Sequence, residues 1–289
     1  MAIDHDHLLN YPIPEIRQTI RWQDTALYNF SIGLGQDPMD QAQLDFLYEP
    51  RLRAMPSMAV VLGYPGFWIR NPDTGVDWTQ VLHGEQSIIL HKPLPAEGEI
   101  IGKSRITSIV DRGPGKGAML YNERVVTDAK TGEKLATLEG TTFARGDGGF
   151  GGPSGPIKKP HAEPDRAPDL TVDLATRPEQ AIVYRLNGDH NPLHIDPEVA
   201  AKAGFKQPIL HGLCTFGVVC HALMKALCGY DPARFGRMDL RFSSPVFPGE
   251  TIRTEIWHEE GGAAFRARVV ERDKVVVSNG LFRHPDAAT

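Results

Sequence analysis

The chain repeats itself. Pro56 and Pro208, Pro93 and Pro245, and Asp37 and Asp189 are each separated by 152 residues, and Gly98 and Gly249 by 151. A common offset over this distance means one structural unit built twice. In the first half, residues 25–34 carry apolar positions at helical spacing and stop at Gly35, residues 41–47 form a second short helical candidate, and residues 55–62 open a longer apolar segment. Strand-like runs follow at 86–90, 99–110, 117–127 and 134–144, separated by turn clusters. The second half has a short element at 179–185, an apolar helix at 213–228, and strands at 237–242, 251–259, 264–271 and 274–282. Helix followed by a meander of strands is an α+β order, not βαβ alternation. Phe265, Ala267 and Val269 alternate with Arg266 and Arg268, as in a strand buried on one face. Between the halves lie six glycines from Gly146 to Gly155 and then Pro156, Pro160, Pro164 and Pro168. Such residues pack poorly, so they read as a linker. The expected organisation is a unit at 1–150, a linker at 151–169 and a second unit at 170–289.

Composition narrows the class. At 289 residues with 41% hydrophobic and 23% charged residues, the chain is globular and long enough for two domains. A net charge of −5 without a dense basic run argues against a nucleic-acid partner. Cys214, Cys220 and Cys228 share one predicted helix and fit neither a disulfide framework nor a zinc site, so they read as buried thiols in a reducing compartment. The N-terminus has no basic-then-apolar signal, no apolar run approaches 18 residues, and the C-terminus lacks Ser-Lys-Leu. The expectation is a cytoplasmic bacterial protein that does not enter a membrane.

Chemistry concentrates in residues 184–217. An apolar run ending at Tyr184 breaks at Asn187-Gly188, and Asp189, Asn191 and His194 follow around Pro192. A turn of this composition can hold polar side chains off any ladder. Gly212 stands where the long helix would begin, with free backbone N–H groups and the positive end of the helix dipole. Taken residue by residue, Asp189 also suits an Asx-turn, His194 a packing position, and Gly212 a simple turn. His190, His194, Asp196 and His211 match no known metal-ligand spacing, and no metal is expected. Gly113-Pro114-Gly115-Lys116-Gly117 lacks Walker spacing and reads as a hairpin.

The string YRLNGDHNPLHIDP at 184–197, followed by PILHGLCTFG at 208–217, resembles the signature of the MaoC-like (R)-specific enoyl-CoA hydratases, the hydratase 2 family. VLHGEQ at 81–86, HKPLP at 91–95, GGFGG at 148–152 and PVFPGETI at 245–252 extend the resemblance over nearly the whole chain. It implies a double hot-dog fold, two long helices each wrapped by a curved antiparallel sheet. It also implies addition of water to trans-2-enoyl-CoA to give (3R)-hydroxyacyl-CoA, as in fatty-acid β-oxidation, by a homodimer. No cofactor is implied, since CoA is part of the substrate.

Under the 152-residue offset, His194 falls opposite Ala42 and Gly212 opposite Val60. One active site per chain is therefore expected, built by the second half, with the first half on the acyl-chain side. The reaction needs a base for water, an acid for Cα, and a holder for charge on the thioester oxygen. Asp189 and His194 are read as a coupled acid–base pair, Asn191 as an orienting amide, and the Gly212 N–H as the oxyanion donor. By resemblance, His83, Gly84, Arg112 and Phe242 match substrate-contacting positions. Arg112 departs from the lysine expected there and equally suits a solvated turn. Two other readings keep the fold: a 3-hydroxyacyl-ACP dehydratase or a hydratase for a branched or dicarboxylic CoA ester, and an acyl-CoA-binding or thioesterase-like hot-dog. The Asp-x-Asn-x-x-His constellation disfavours the last.

Overall fold

A computed structural model describes residues 2–288. Ten strands form one continuous sheet: β1 (Ile16–Ile20), β2 (Val81–Leu90), β3 (Gly98–Asp111), β4 (Ala118–Asp128), β5 (Lys134–Ala144), β6 (Leu170–Ala175), β7 (Arg237–Phe242), β8 (Thr251–Glu259), β9 (Gly262–Val269) and β10 (Lys274–Arg283). Their spatial order is β1-β3-β4-β5-β2-β7-β10-β9-β8-β6, with every neighbouring pair antiparallel. The order is symmetric about the β2–β7 seam: each strand of the first half has a counterpart five strands later at the mirrored position. The duplication visible in the prolines is thus a duplication of topology, and the architecture is an α+β double hot-dog.

The six α-helices are short: α1 (His5–Leu9), α2 (Trp22–Ser31), α3 (Gln41–Leu44), α4 (Gln180–Tyr184), α5 (Pro197–Lys202) and α6 (Gly212–Leu223). Only α6 is the long core helix that the resemblance implies. Its residues from Cys214 to Leu223 are all buried, as in a helix wrapped by sheet on all sides. It continues as a π-helical turn, Met224–Cys228, closed by Gly229 in the left-handed conformation. All three cysteines are free and buried along this stretch. The first half differs from expectation. Its apolar segment forms only a six-residue 3-10 helix, Pro56–Val61, although all its residues up to Val60 are buried. Leu62 turns extended and ends it, and Gly63 follows at φ +57°, where a side chain would strike the backbone of Gly102.

Strands β1 and β6 have no counterpart in the expectations above. Both are edge strands of five and six residues, and β6 does alternate, with Val172 and Leu174 half-buried against the core and Thr171, Asp173 and Ala175 exposed. The predicted strand at 264–271 alternates as expected, with Phe265, Ala267 and Val269 buried. The Arg112 to Gly117 segment is the β3–β4 hairpin. The glycine run after β5 is tied down: the Asp111 carboxylate accepts N–H bonds from Gly113, Gly149 and Gly151 at 2.7–2.8 Å. Those bonds hold Asp111 below the usual carboxylate range. The proline-rich remainder crosses the outer face of the sheet over the seam, where it roofs a crevice of about 870 Å³ with Glu85, Tyr121 and Arg241.

Candidate active site

The Asp189 turn is shaped by local sequence. Tyr184 ends α4, a 3-10 turn Arg185–Asn187 follows, and Gly188 at φ 110° reverses the chain, a conformation that a side chain would oppose. Asn187 Nδ2 donates to Ser31 Oγ at 2.9 Å and to the Tyr184 carbonyl, which pins the turn to α2 of the other half. Pro192 then opens a second 3-10 turn, Pro192–His194, capped by Asn191, whose Oδ1 accepts from the Leu193 N–H at 3.1 Å. Asn191 meets Asp189 through its own backbone N–H, which donates to Oδ1 at 3.2 Å. The side-chain amide of Asn191 is therefore a cap first.

His194 is buried, and its Nδ1 lies 2.9 Å from the Ile209 carbonyl. A carbonyl only accepts, so Nδ1 carries the proton and Nε2 is left with a free lone pair. His211 is fully buried and stacks on His194 with ring centroids 3.8 Å apart and planes at 28°. His211 Nε2 donates to the Asp189 carbonyl at 3.3 Å, while its Nδ1 is enclosed without a partner. Burial keeps His194 below the ordinary imidazole value. Burial, and then the charge of His194, pushes His211 down to about 4. Two stacked imidazoles cannot both be charged cheaply, so this pair is neutral at physiological pH.

Asp189, His194 and His211 each offer an atom within 4.8 Å of the others. One water molecule making two ordinary hydrogen bonds of roughly 2.8 Å spans such a gap. The sequence spacing missed His211 as a partner of His194; its only signal was its place directly before Gly212.

Gly212 is the first residue of α6, and its N–H has no acceptor among the described residues. The position that a Cβ would take lies 3.6 Å from the Phe242 ring, so the backbone here faces open space bounded by Phe242. The His83 ring also lies against Phe242, with centroids 5.0 Å apart. Crowding by surrounding protein lowers the His83 pKa, although the ring keeps an open face. The charge of Asp189 also bears on it. Gly84 lies at a bulge of β2 between His83 and Glu85. Arg112 is exposed on its hairpin and forms no ion pair among the described residues. Tyr64 is 47% exposed; the protein packed around its phenol and then the charge of Asp189 hold it above the usual value, and the Arg124 guanidinium lies 5.5 Å from its ring centroid. Among the described residues, no helix is long and apolar enough to cross a membrane.

Residues 19–146 match the MFE-2 hydratase 2 N-terminal domain and residues 159–280 the MaoC like domain. The chain is similar to a probable enoyl-CoA hydratase 2 of Dictyostelium discoideum, 39% identical over 97% of this chain and 96% of that one. It is 37% identical to the peroxisomal enoyl-CoA hydratase 2 of Arabidopsis thaliana, over 94% and 93% of the two chains. The crystal structure of a MaoC-like dehydratase from Phytophthora capsici superposes with a TM-score of 0.84 at 38% identity, over 96% and 98% of the two chains. The order of these two matched segments and the mirrored sheet agree with these relatives, and the chain belongs to the hydratase 2 family of MaoC-like hydro-lyases.

Proposed function

We propose that this protein adds water reversibly to trans-2-enoyl-CoA thioesters and yields the (3R)-hydroxyacyl product. The observation that carries the reading is the Asp189–His194 pair at a one-water span, beside the unpaired N–H of Gly212. A water held between the Asp189 carboxylate and His194 Nε2 attacks Cβ from one side of the double bond. Its proton passes to this coupled pair, and the pair returns a proton to Cα. The charge that develops on the thioester oxygen is met by the Gly212 N–H at the positive end of α6. His211 holds the His194 ring in place by stacking, and the Ile209 carbonyl holds its tautomer. Phe242 and His83 wall the opposite side, with Gly84 and Arg112 as further substrate contacts toward the CoA end.

The test follows the enoyl-thioester absorbance with crotonyl-CoA and decenoyl-CoA, and passes product to (R)- and (S)-specific 3-hydroxyacyl-CoA dehydrogenases. Loss of the band with oxidation only by the (R)-specific enzyme supports the reading. Product oxidised by the (S)-specific enzyme, or a folded wild type inert toward both substrates, overturns it.

A further inference from the structure

The Asp189 turn belongs to the second half, yet it is fastened to the first. Ser31 is the last residue of α2 and is buried. Its hydroxyl donates to the Tyr28 carbonyl at 2.7 Å, a back-bond within the last turn of the helix. That commits the one proton of the hydroxyl, so toward any other group Oγ can only accept. It accepts from Asn187 Nδ2 at 2.9 Å, and the same amide also donates to the Tyr184 carbonyl at 2.9 Å. Asn187 lies two residues before Asp189.

The anchor itself is fixed on α6. The Cys214 thiol, two residues past Gly212, donates to the Ser31 carbonyl at 3.5 Å. Further along α6, Gly217 has no room for a side chain: a Cβ there would strike Ile32, the C-cap of α2, and would come within 3.2 Å of the Tyr28 hydroxyl. Glycine at this point lets the end of α2 seat directly on the helix. Ser31 thus touches both parts of the site. Its carbonyl meets the helix that opens at Gly212, and its hydroxyl meets the turn that carries Asp189. On the other side of that turn, His211 Nε2 donates to the Asp189 carbonyl at 3.3 Å. A turn held at two points keeps its carboxylate in one place, as a reacting group requires.

The contact has no twin. Under the 152-residue offset Ser31 corresponds to Val183 and Asn187 to Gly35, and neither of these has a side chain that can hydrogen-bond. A bond that served only the fold of the duplicated unit would have its place in both halves, and this one stands only beside Asp189. We propose that Ser31 is a positioning residue for the hydration step: through Asn187 it fixes the Asp189 carboxylate relative to the start of α6. The inference rests on the hydratase reading above, and it gives the first half a part in the chemical step.

The test measures kcat and KM on crotonyl-CoA or decenoyl-CoA, whichever the wild type turns over faster. It compares wild type, Ser31→Ala and Asn187→Ala, the two combined, and each in an Asp189→Asn background. Either single variant should lower kcat by about 10- to 30-fold with KM within about twofold, the pattern of a displaced reacting group. The combined variant should match the worse single one, since both break the same bond. In the Asp189→Asn background the loss from Ser31→Ala should shrink to about twofold or less, because no carboxylate is left to position. A folded Ser31→Ala with wild-type kcat overturns the proposal. So does a loss carried in full into Asp189→Asn, which marks a general effect on the scaffold. Should Ser31→Ala fail to fold, Asn187→Ala decides by itself, since Asn187 is only half-buried in its turn, and an unchanged kcat there overturns the proposal equally. A folded wild type inert toward both esters overturns the hydratase reading instead, whereas an active wild type with unaffected variants overturns this inference alone.

Discussion

Ser87 donates a hydrogen bond to Asp239 across the β2–β7 seam, and the two residues are 152 positions apart, the offset of the repeat. Each is therefore opposite its own counterpart, and the pseudo-twofold axis of the chain passes between them. Asp239 also binds Arg237 at 2.9 Å, so loss of the serine hydroxyl leaves the carboxylate one partner. Ser87→Ala should cost about 1 kcal/mol of stability, read as a lower denaturant midpoint with unchanged slope. Asp239→Ala should cost more, because it leaves the mostly buried Arg237 guanidinium only Glu139, at 4.0 Å. Turnover should stay at wild-type level in Ser87→Ala. A drop in kcat on the scale of an active-site variant would mean that the seam is coupled to the chemistry.

Asp189→Asn and His194→Gln keep shape and hydrogen bonding but remove the proton-transfer groups. Each should lower kcat by about a hundredfold or more, with the melting temperature little changed. The double variant should be scarcely worse than either single one, since the two act on one water. Additive losses in log kcat would show two independent roles and would argue against the coupled pair.

Gly212→Ala separates stability from activity. The added methyl meets Phe242 at an ordinary 3.6 Å, and alanine suits a helix better than glycine. Stability should therefore hold or rise by up to about 1 kcal/mol. The methyl nonetheless occupies the approach of the thioester to the N–H, so kcat/KM should fall by roughly 10- to 100-fold. Unaltered kinetics in a folded variant would move the oxyanion donor elsewhere.

The buried imidazoles set the pH behaviour. His194 works as a neutral base, and burial lowers its pKa, so the acid limb of kcat/KM should lie below 6.5. The charge of Asp189 raises His194, so Asp189→Asn should move the limb of its residual activity further down. For stability, His211 and His221 are held at about 4 in the fold and return to about 6.5 on unfolding. Below 6.5 the unfolded chain binds more protons, so stability declines as pH falls from about 6.5 to about 4, by up to about 1.4 kcal/mol per pH unit for each ring. His221→Gln should flatten that slope in denaturation curves taken across the window. An unaltered slope would show that other groups carry it.

The primary structure by itself determined the duplication, the α+β class, eight of the ten strands, the buried thiol helix and the motif that carries Asp189, His194 and Gly212. Those features rest on local signals: alternation, turn residues, a glycine before an apolar helix, and a spacing repeated after 152 residues. What only the tertiary structure decided are the contacts that those signals cannot encode. Edge strand β1 forms along β3, which offers it hydrogen bonds, whereas β6 along β8 has an alternation of its own in Leu170, Val172 and Leu174. The apolar segment at Pro56 stops after six residues at an extended Leu62, and Gly63 beyond it packs directly on the backbone of Gly102 of another strand. His211 becomes the support of His194, and Asn187 is pinned to Ser31 of the other half, by contacts between elements that local sequence does not join. Such proximity costs chain entropy and is settled by packing, which no window of sequence contains.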